Sequence, residues 1–205
     1  MKKFKILLFT FIAVSSTLFV SCGGGTEVIG TWKNDQIHIS KIKKILLIGV
    51  AKDPWIRKMF EGDLKKELSD YGVDAVSSLE IVSPDEKITK ENFELYFGKE
   101  NFDAVLVTRV VAENVSKTRV YNYTPSYGYY GFYGYYYSAY SYAYNPGYTV
   151  EETSVNLETN VYDIKSMQLA WSALSESFNV QKASDVIKPV IHMIVDEMQA
   201  DGLIE

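Results

Sequence analysis

Ile45-Leu46-Leu47-Ile48-Gly49-Val50-Ala51 is an unbroken apolar run, and Asp53-Pro54 follows it directly. An apolar stretch this short, without polar alternation, reads as a strand buried on both faces, which requires helices on both sides of its sheet. Asp53 is a natural helix N-cap, and Pro54 suits the first helical position because its missing N–H has no partner there anyway. Ile56, Phe60, Leu64 and Leu68 recur every fourth residue with Met59 beside them, which predicts one buried stripe on that helix. Gly72 is its stop. Val73–Val82 reads as a second strand. Thr89 opens a shorter helix with Phe93, Tyr96 and Phe97 inward and Gly98 at its end. Phe102–Val111 is a third strand, so strand–helix–strand–helix–strand implies right-handed crossovers within one sheet.

The second half changes period. Val155, Leu157, Thr159 and Val161 alternate with Asn156, Glu158, Asn160 and Tyr162, the pattern of a half-buried strand. Asp163–Ser166 is a turn, and Leu169-Ala170-Trp171 begins a return strand running to about Phe178, which makes an antiparallel hairpin. A helix from about Ser184 to Ala200 closes the chain, with Ile187, Ile191, Ile194 and Met198 inward and Gly202 after it. Pro189 removes a donor, which predicts an irregular start or a shift toward Lys188. The expected class is α+β: a mixed sheet with helices packed on it, in the order βαβαβ-ββ-α, forming one domain over residues 41–205. Upstream, residues 22–40 read as a tether. Trp32 either docks that tether on the domain or packs in an added edge strand, and both readings stand.

The chain has 205 residues, 47% hydrophobic and 23% charged, with a formal net charge of −5. That is globular composition and no basic patch is evident, so a nucleic-acid partner is not expected. A single Cys excludes an intramolecular disulfide and a cysteine zinc site. Catalytic patterns are missing too: no Gly-x-Ser-x-Gly elbow, no phosphate loop and no Asp-x-Asp calcium loop. No cofactor or metal site is therefore expected from motifs, while metal ligation by carboxylates alone and an enzyme built on Asp53 and neighbouring carboxylates stay open as further readings. His38 lies near the tether. His192, four residues before Asp196, reads as a surface histidine with a carboxylate neighbour. Asp53 sits where open sheets bind ligands, but capping explains it more simply. Glu151, Glu152 and Glu158 read as a solvated strand face.

Lys2, Lys3 and Lys5 precede fifteen uncharged residues, Ile6–Val20, and then Ser21-Cys22-Gly23-Gly24-Gly25. This is a secretory signal pattern, too short to cross about 30 Å of hydrocarbon comfortably. With Phe19-Val20-Ser21-Cys22 as the lipobox it resembles a bacterial lipoprotein signal, although Phe19 stands where that family usually has Leu. The resemblance implies that residues 1–21 are removed and that Cys22 is the acylated (palmitate-bearing) N-terminus. The remaining chain keeps 18 of the 21 basic residues and all 26 acidic ones, net −8. Such a body is held to a membrane by acyl chains rather than by charge. Gly after the Cys resembles an outer-membrane destination, with the periplasmic and surface faces both open.

The order of elements is similar to that of a bacterial lipoprotein family of unassigned function. It rests on Ile45–Ala51 with its Asp-Pro helix, Phe102-Asp-Ala-Val-Leu-Val107 and the Asn160–Trp171 hairpin. More distantly it resembles the curli-secretion channel subunit and lipoprotein activators of peptidoglycan synthases. The resemblance implies a non-enzymatic envelope protein, with a subunit of an outer-membrane secretion or assembly complex, self-associating, as the second reading.

Thirteen of the sixteen tyrosines fall between Tyr121 and Tyr148, and Tyr121–Val150 carries no charge. This Tyr/Gly-rich segment, 121–148, is expected to be a loop or hairpin tip on strands Thr108–Tyr123 and Tyr148–Tyr162, and deleting residues 124–147 is expected to leave the fold intact. Tyr127, Tyr129, Tyr130, Phe132, Tyr133, Tyr135, Tyr136 and Tyr137 are the candidate contacts to an envelope protein, peptidoglycan or other glycan. Rigid aromatics give much contact area for little entropy. A self-packed low-complexity loop and insertion at a membrane interface are the other two readings.

Overall fold

The computed structural model describes residues 25–37, 41–115, 131–144, 153–178 and 180–205. In chain order these form β1 (Thr26–Lys33), β2 (Lys44–Val50), α1 (Pro54–Asp70), β3 (Asp74–Ser77) and α2 (Lys90–Phe97). They continue as β4 (Ala104–Val115), α3 (Phe132–Tyr144), β5 (Thr153–Asp163), β6 (Leu169–Ser177) and α4 (Ser184–Ala200). Among the described residues six strands make one sheet in the order β1-β6-β5-β4-β2-β3. β2 lies parallel to β3 and β4, whereas β4–β5, β5–β6 and β1–β6 are antiparallel. The class is therefore α+β with a mixed sheet, as the sequence predicts.

β2 shows why the sheet is covered twice. Ile45 and Leu47 pack with Phe60, Leu64 and Leu68 of α1 and with Ile187, Ile191, Ile194 and Met198 of α4. Leu46 and Ile48 point the other way, onto Phe93 and Phe97 of α2 and Phe132, Tyr135, Tyr136 and Ala139 of α3. β4 repeats the alternation, with Ala104 and Leu106 on the first side and Val105 and Val107 on the second. Period-2 geometry sends successive side chains to opposite faces, so a continuous apolar run is buried only when both faces have lids.

Helix boundaries follow local chemistry. The Asp53 carboxylate accepts from Trp55 N–H at 2.8 Å, with Pro54 at the first position. Thr89 and Asn92 form a reciprocal capping box on α2. α1 and α4 both end in a glycine of positive φ, Gly72 at 71° and Gly202 at 74°. In each case the two N–H groups at and after the glycine turn back onto the last helical turn, Val73 to Leu68 and Leu203 to Met198.

Four expectations are corrected. The predicted strand 73–82 is only β3, followed by a short 3-10 turn at Ser78–Glu80. α4 starts at Ser184 and runs through Pro189, so the proline neither shifts nor breaks it. The segment read as a tether contains β1, which pairs with β6 from Thr26 to Lys33 and places Trp32 in an edge strand. The folded body therefore begins well before residue 41.

The fourth correction concerns the tyrosine segment. β4 and β5 do pair as a long antiparallel hairpin. Between them, however, Phe132–Tyr144 is a helix on the sheet rather than a loop or hairpin tip. Phe132, Tyr135, Tyr136 and Ala139 have the i, i+3, i+4, i+7 spacing of a buried helical stripe and are nearly inaccessible to solvent. Deleting residues 124–147 would thus uncover β2 and β4. The expected outcome is loss of a cooperative urea transition, and Phe132→Ala alone should cost about 3–5 kcal/mol in the same measurement.

Candidate functional site

At the carboxyl ends of β2 and β3, where open sheets commonly bind ligands, the structure holds a filled polar cluster. Glu61 of α1 is completely buried, and its carboxylate accepts from five donors. The donors are Gly49 N–H at 2.8 Å, Arg57 Nε at 2.9 Å, Ser77 Oγ at 2.5 Å, Ser78 Oγ at 2.9 Å and Leu79 N–H at 3.2 Å. Arg57 also donates to Ser78 Oγ at 2.7 Å and to the Pro84 carbonyl at 3.2 Å. A carboxylate with this many donors and an arginine partner is committed to a structural role. Asp53 caps α1 beside it, as expected, and the ligand position of the sheet is closed from inside.

A second buried pair lies under α3. Arg109 of β4 stands directly across from Glu158 of β5, with Nε and Nη2 both 2.9 Å from Oε2. The Tyr135 ring sits 5.0 Å from the guanidinium and its hydroxyl donates to the Glu158 carbonyl at 3.3 Å. Glu158 is therefore not on a solvated face. The alternation correctly sets it on the face opposite Val155, Leu157 and Val161, which pack in the α1 layer, but that opposite face is roofed by α3. His192 is an exposed histidine with a carboxylate neighbour, as expected, and the carboxylate 2.7 Å from its Nδ1 is Glu67 of α1.

The aromatic candidates divide three ways. Phe132, Tyr135 and Tyr136 are core, in ring contact with Phe93, Tyr162 and one another. Tyr133 and Tyr137 are half-buried on the outer side of α3, where Tyr140 joins them. Lys87 Nζ lies 4.4 Å from the Tyr137 ring and 5.2 Å from that of Tyr140. Cys22, Tyr127, Tyr129 and Tyr130 lie outside the described residues, as do His38, Glu151 and Glu152. Sequence reasoning missed Arg57, Glu61 and Arg109. An arginine inside the apolar run of β4 was the available signal for the last.

Open grooves among the described residues include two at the edges of the helical layers. One, of about 720 Å³, runs past Asn34, Lys90, Tyr133 and Met167 at the start of α3. The other, about 480 Å³, lies beside Trp55, Lys58, Leu79 and Pro84. Among the described residues no cluster of His, Cys, Asp and Glu could hold a metal ion. Nor is any helix among them long and apolar enough to cross a membrane.

No protein-family model matches the chain, and no curated protein matches it. Among solved structures it is similar to the PelC dodecamer of Paraburkholderia phytofirmans in two crystal forms, one of them a point variant. Identity is 14% and 13%, with a TM-score of 0.45 in each case. The match covers 85% of this chain and 97% of that one.

Two measurements test the site as described. Glu61→Ala leaves Arg57 buried without its partner and should lower stability by about 3–5 kcal/mol in urea unfolding. Burial raises the phenol of Tyr162 far above the ordinary tyrosine range, and burial with Glu94 and Glu91 nearby raises Tyr133. Both rings stay neutral when folded but ionise near pH 10 once unfolded. Their contribution to stability should be intact below pH 10 and fall as pH rises above it. Denaturation midpoints from pH 8 to 11 check this, and Tyr162→Phe should flatten the decline.

Proposed function

We propose that this chain is a lipid-anchored, non-enzymatic protein of the bacterial cell envelope, held in the outer membrane by acylated Cys22. It binds a protein or cell-wall partner through its domain and the outer part of its tyrosine-rich segment. The observation that carries this reading is the N-terminal sequence: three lysines, fifteen uncharged residues, Ser21 and then the only cysteine of the chain, followed by three glycines. β1 supports it, because Thr26 enters the sheet four residues after Cys22. By composition Gly23–Gly25 suit a short link between an anchor and a folded body.

The non-enzymatic part rests on how the interior carboxylates are used. Glu61 and Glu158 are each committed to an arginine, and Asp53 to a helix N-terminus. For partner contact, the half-buried rings of Tyr133 and Tyr137 supply the described surface, to which the sequence adds Tyr127, Tyr129 and Tyr130. Phe132, Tyr135 and Tyr136 hold that surface in place from beneath.

Mass spectrometry of the N-terminal peptide tests the anchor. The expected peptide begins at Cys22 and carries diacylglyceryl and acyl groups, and Cys22→Ser should move the protein out of the membrane fraction. A chain still beginning at Met1, or an unmodified Cys22, overturns the reading.

A further inference from the structure

The strands give the sheet two unlike ends. β1 and β5 begin at the same end where β4 and β6 finish, and the parallel strands β2 and β3 also finish there. The chain from Cys22 enters at this end: Phe178 N–H donates to the Gly25 carbonyl at 2.8 Å, just before β1 starts. Four residues span at most about 14 Å when fully extended. An acyl chain on Cys22 would therefore keep this end of the sheet within about 14 Å of the bilayer surface.

The same end carries exposed apolar side chains. Among the described residues the large exposed hydrophobics are Ile29, Trp55, Ile56, Leu95 and Phe178. Three of these five lie here. Trp55 and Ile56 are in the first turn of α1, directly after β2, and Phe178 follows β6; Ile56, which the sequence pattern placed in the buried stripe, is exposed instead. Trp55 is 70% exposed, although folding had every opportunity to bury an indole. Lys58 Nζ is 5.5 Å from its ring, and Lys52 precedes it in the β2–α1 turn. An amphipathic ring flanked by lysines is the residue set favoured at the headgroup level of a membrane. β1 and β2 are four strand spacings apart, about 19 Å across the sheet, and Val50 at the end of β2 is level with Gly30, four residues into β1.

We propose that this end of the sheet is a bilayer-docking surface, with Trp55, Ile56 and Phe178 seated at the interface of a phospholipid membrane. The inference rests on the lipid anchor proposed above. Tether length and aromatic exposure are independent observations, and both select the same end. Glu27 and Glu176, opposite each other on the β1–β6 pair, keep the contact at headgroup depth rather than deeper. Lys52 and Lys58 face the lipid phosphates at the other corner. The tyrosine-rich segment between Val115 and Thr153 also leaves and rejoins the sheet at this end.

The test uses the full lipidated chain in phosphatidylcholine vesicles with and without brominated acyl chains, read by tryptophan emission. Trp171 is wholly buried and Trp32 partly so, which leaves Trp55 as the reporter. Expected is a loss of emission in brominated vesicles that Trp55→Phe largely removes and that adding Phe178→Trp to this variant restores. Equal emission in both vesicles, with mass spectrometry confirming acylated Cys22, overturns the docking surface and leaves the anchor standing. An unacylated Cys22 overturns both.

Discussion

β2 and β4 are apolar on both faces, and that one constraint organises the molecule. Each needs a lid above and a lid below. α1 and α4 supply the first lid from long amphipathic helices. The second side has α2, which is only eight residues long, and is completed by α3. The tyrosine-rich segment is thus partly a structural layer. Gly134 inside α3 costs about 1 kcal/mol of helix stability. Each of the buried rings Phe132, Tyr135 and Tyr136 returns roughly 1.5–3 kcal/mol. Packing therefore outweighs the poor helix propensity of a Tyr/Gly sequence. A charge on the inner side of α3 would have to be desolvated against Leu46, Ile48, Val105 and Val107.

The polar interior is placed to specify rather than to add net stability. A buried ion pair is worth little against an apolar replacement, but losing one partner is costly. Arg109 and Glu158 meet as a direct cross-strand pair just before the irregularity between Val110 and Ala112, so they pin the β4–β5 register where the ladder shifts. Arg57 and Glu61 do the same for the way α1 crosses β2 and β3, because one carboxylate ties α1 to Gly49 and Ser77 together.

Much of this was legible in the residues. Asp53-Pro54, Thr89, Gly72 and Gly202 act locally, so their capping roles survive without knowledge of the tertiary structure. The apolar runs of β2 and β4 announced a sheet covered on both sides. What escaped depended on distant partners. Glu158 alternates correctly, yet its face is buried only because α3 crosses it. Arg57 and Glu61 have the i, i+4 spacing of an ordinary surface pair, and the buried serines that complete the cluster come from the end of β3. α3 itself was hidden by composition, since glycine and tyrosine suggest a loop, although the 132, 135, 136, 139 spacing was present. Of the candidate contacts, only Tyr133 and Tyr137 are both described and accessible.

Hydrogen exchange on the lipidated chain bound to vesicles, compared with the same chain made without lipid, tests most directly the claim that the tyrosine-rich segment is core and the tethered end meets the bilayer. The account predicts slow exchange for the inner-turn amides of Phe132–Ala139 in both samples. It also predicts added protection on vesicles confined to Lys52–Lys58 and Ser177–Phe178. Fast exchange through α3 in both samples, or protection gained at the opposite end near Asp163–Gln168, would contradict it.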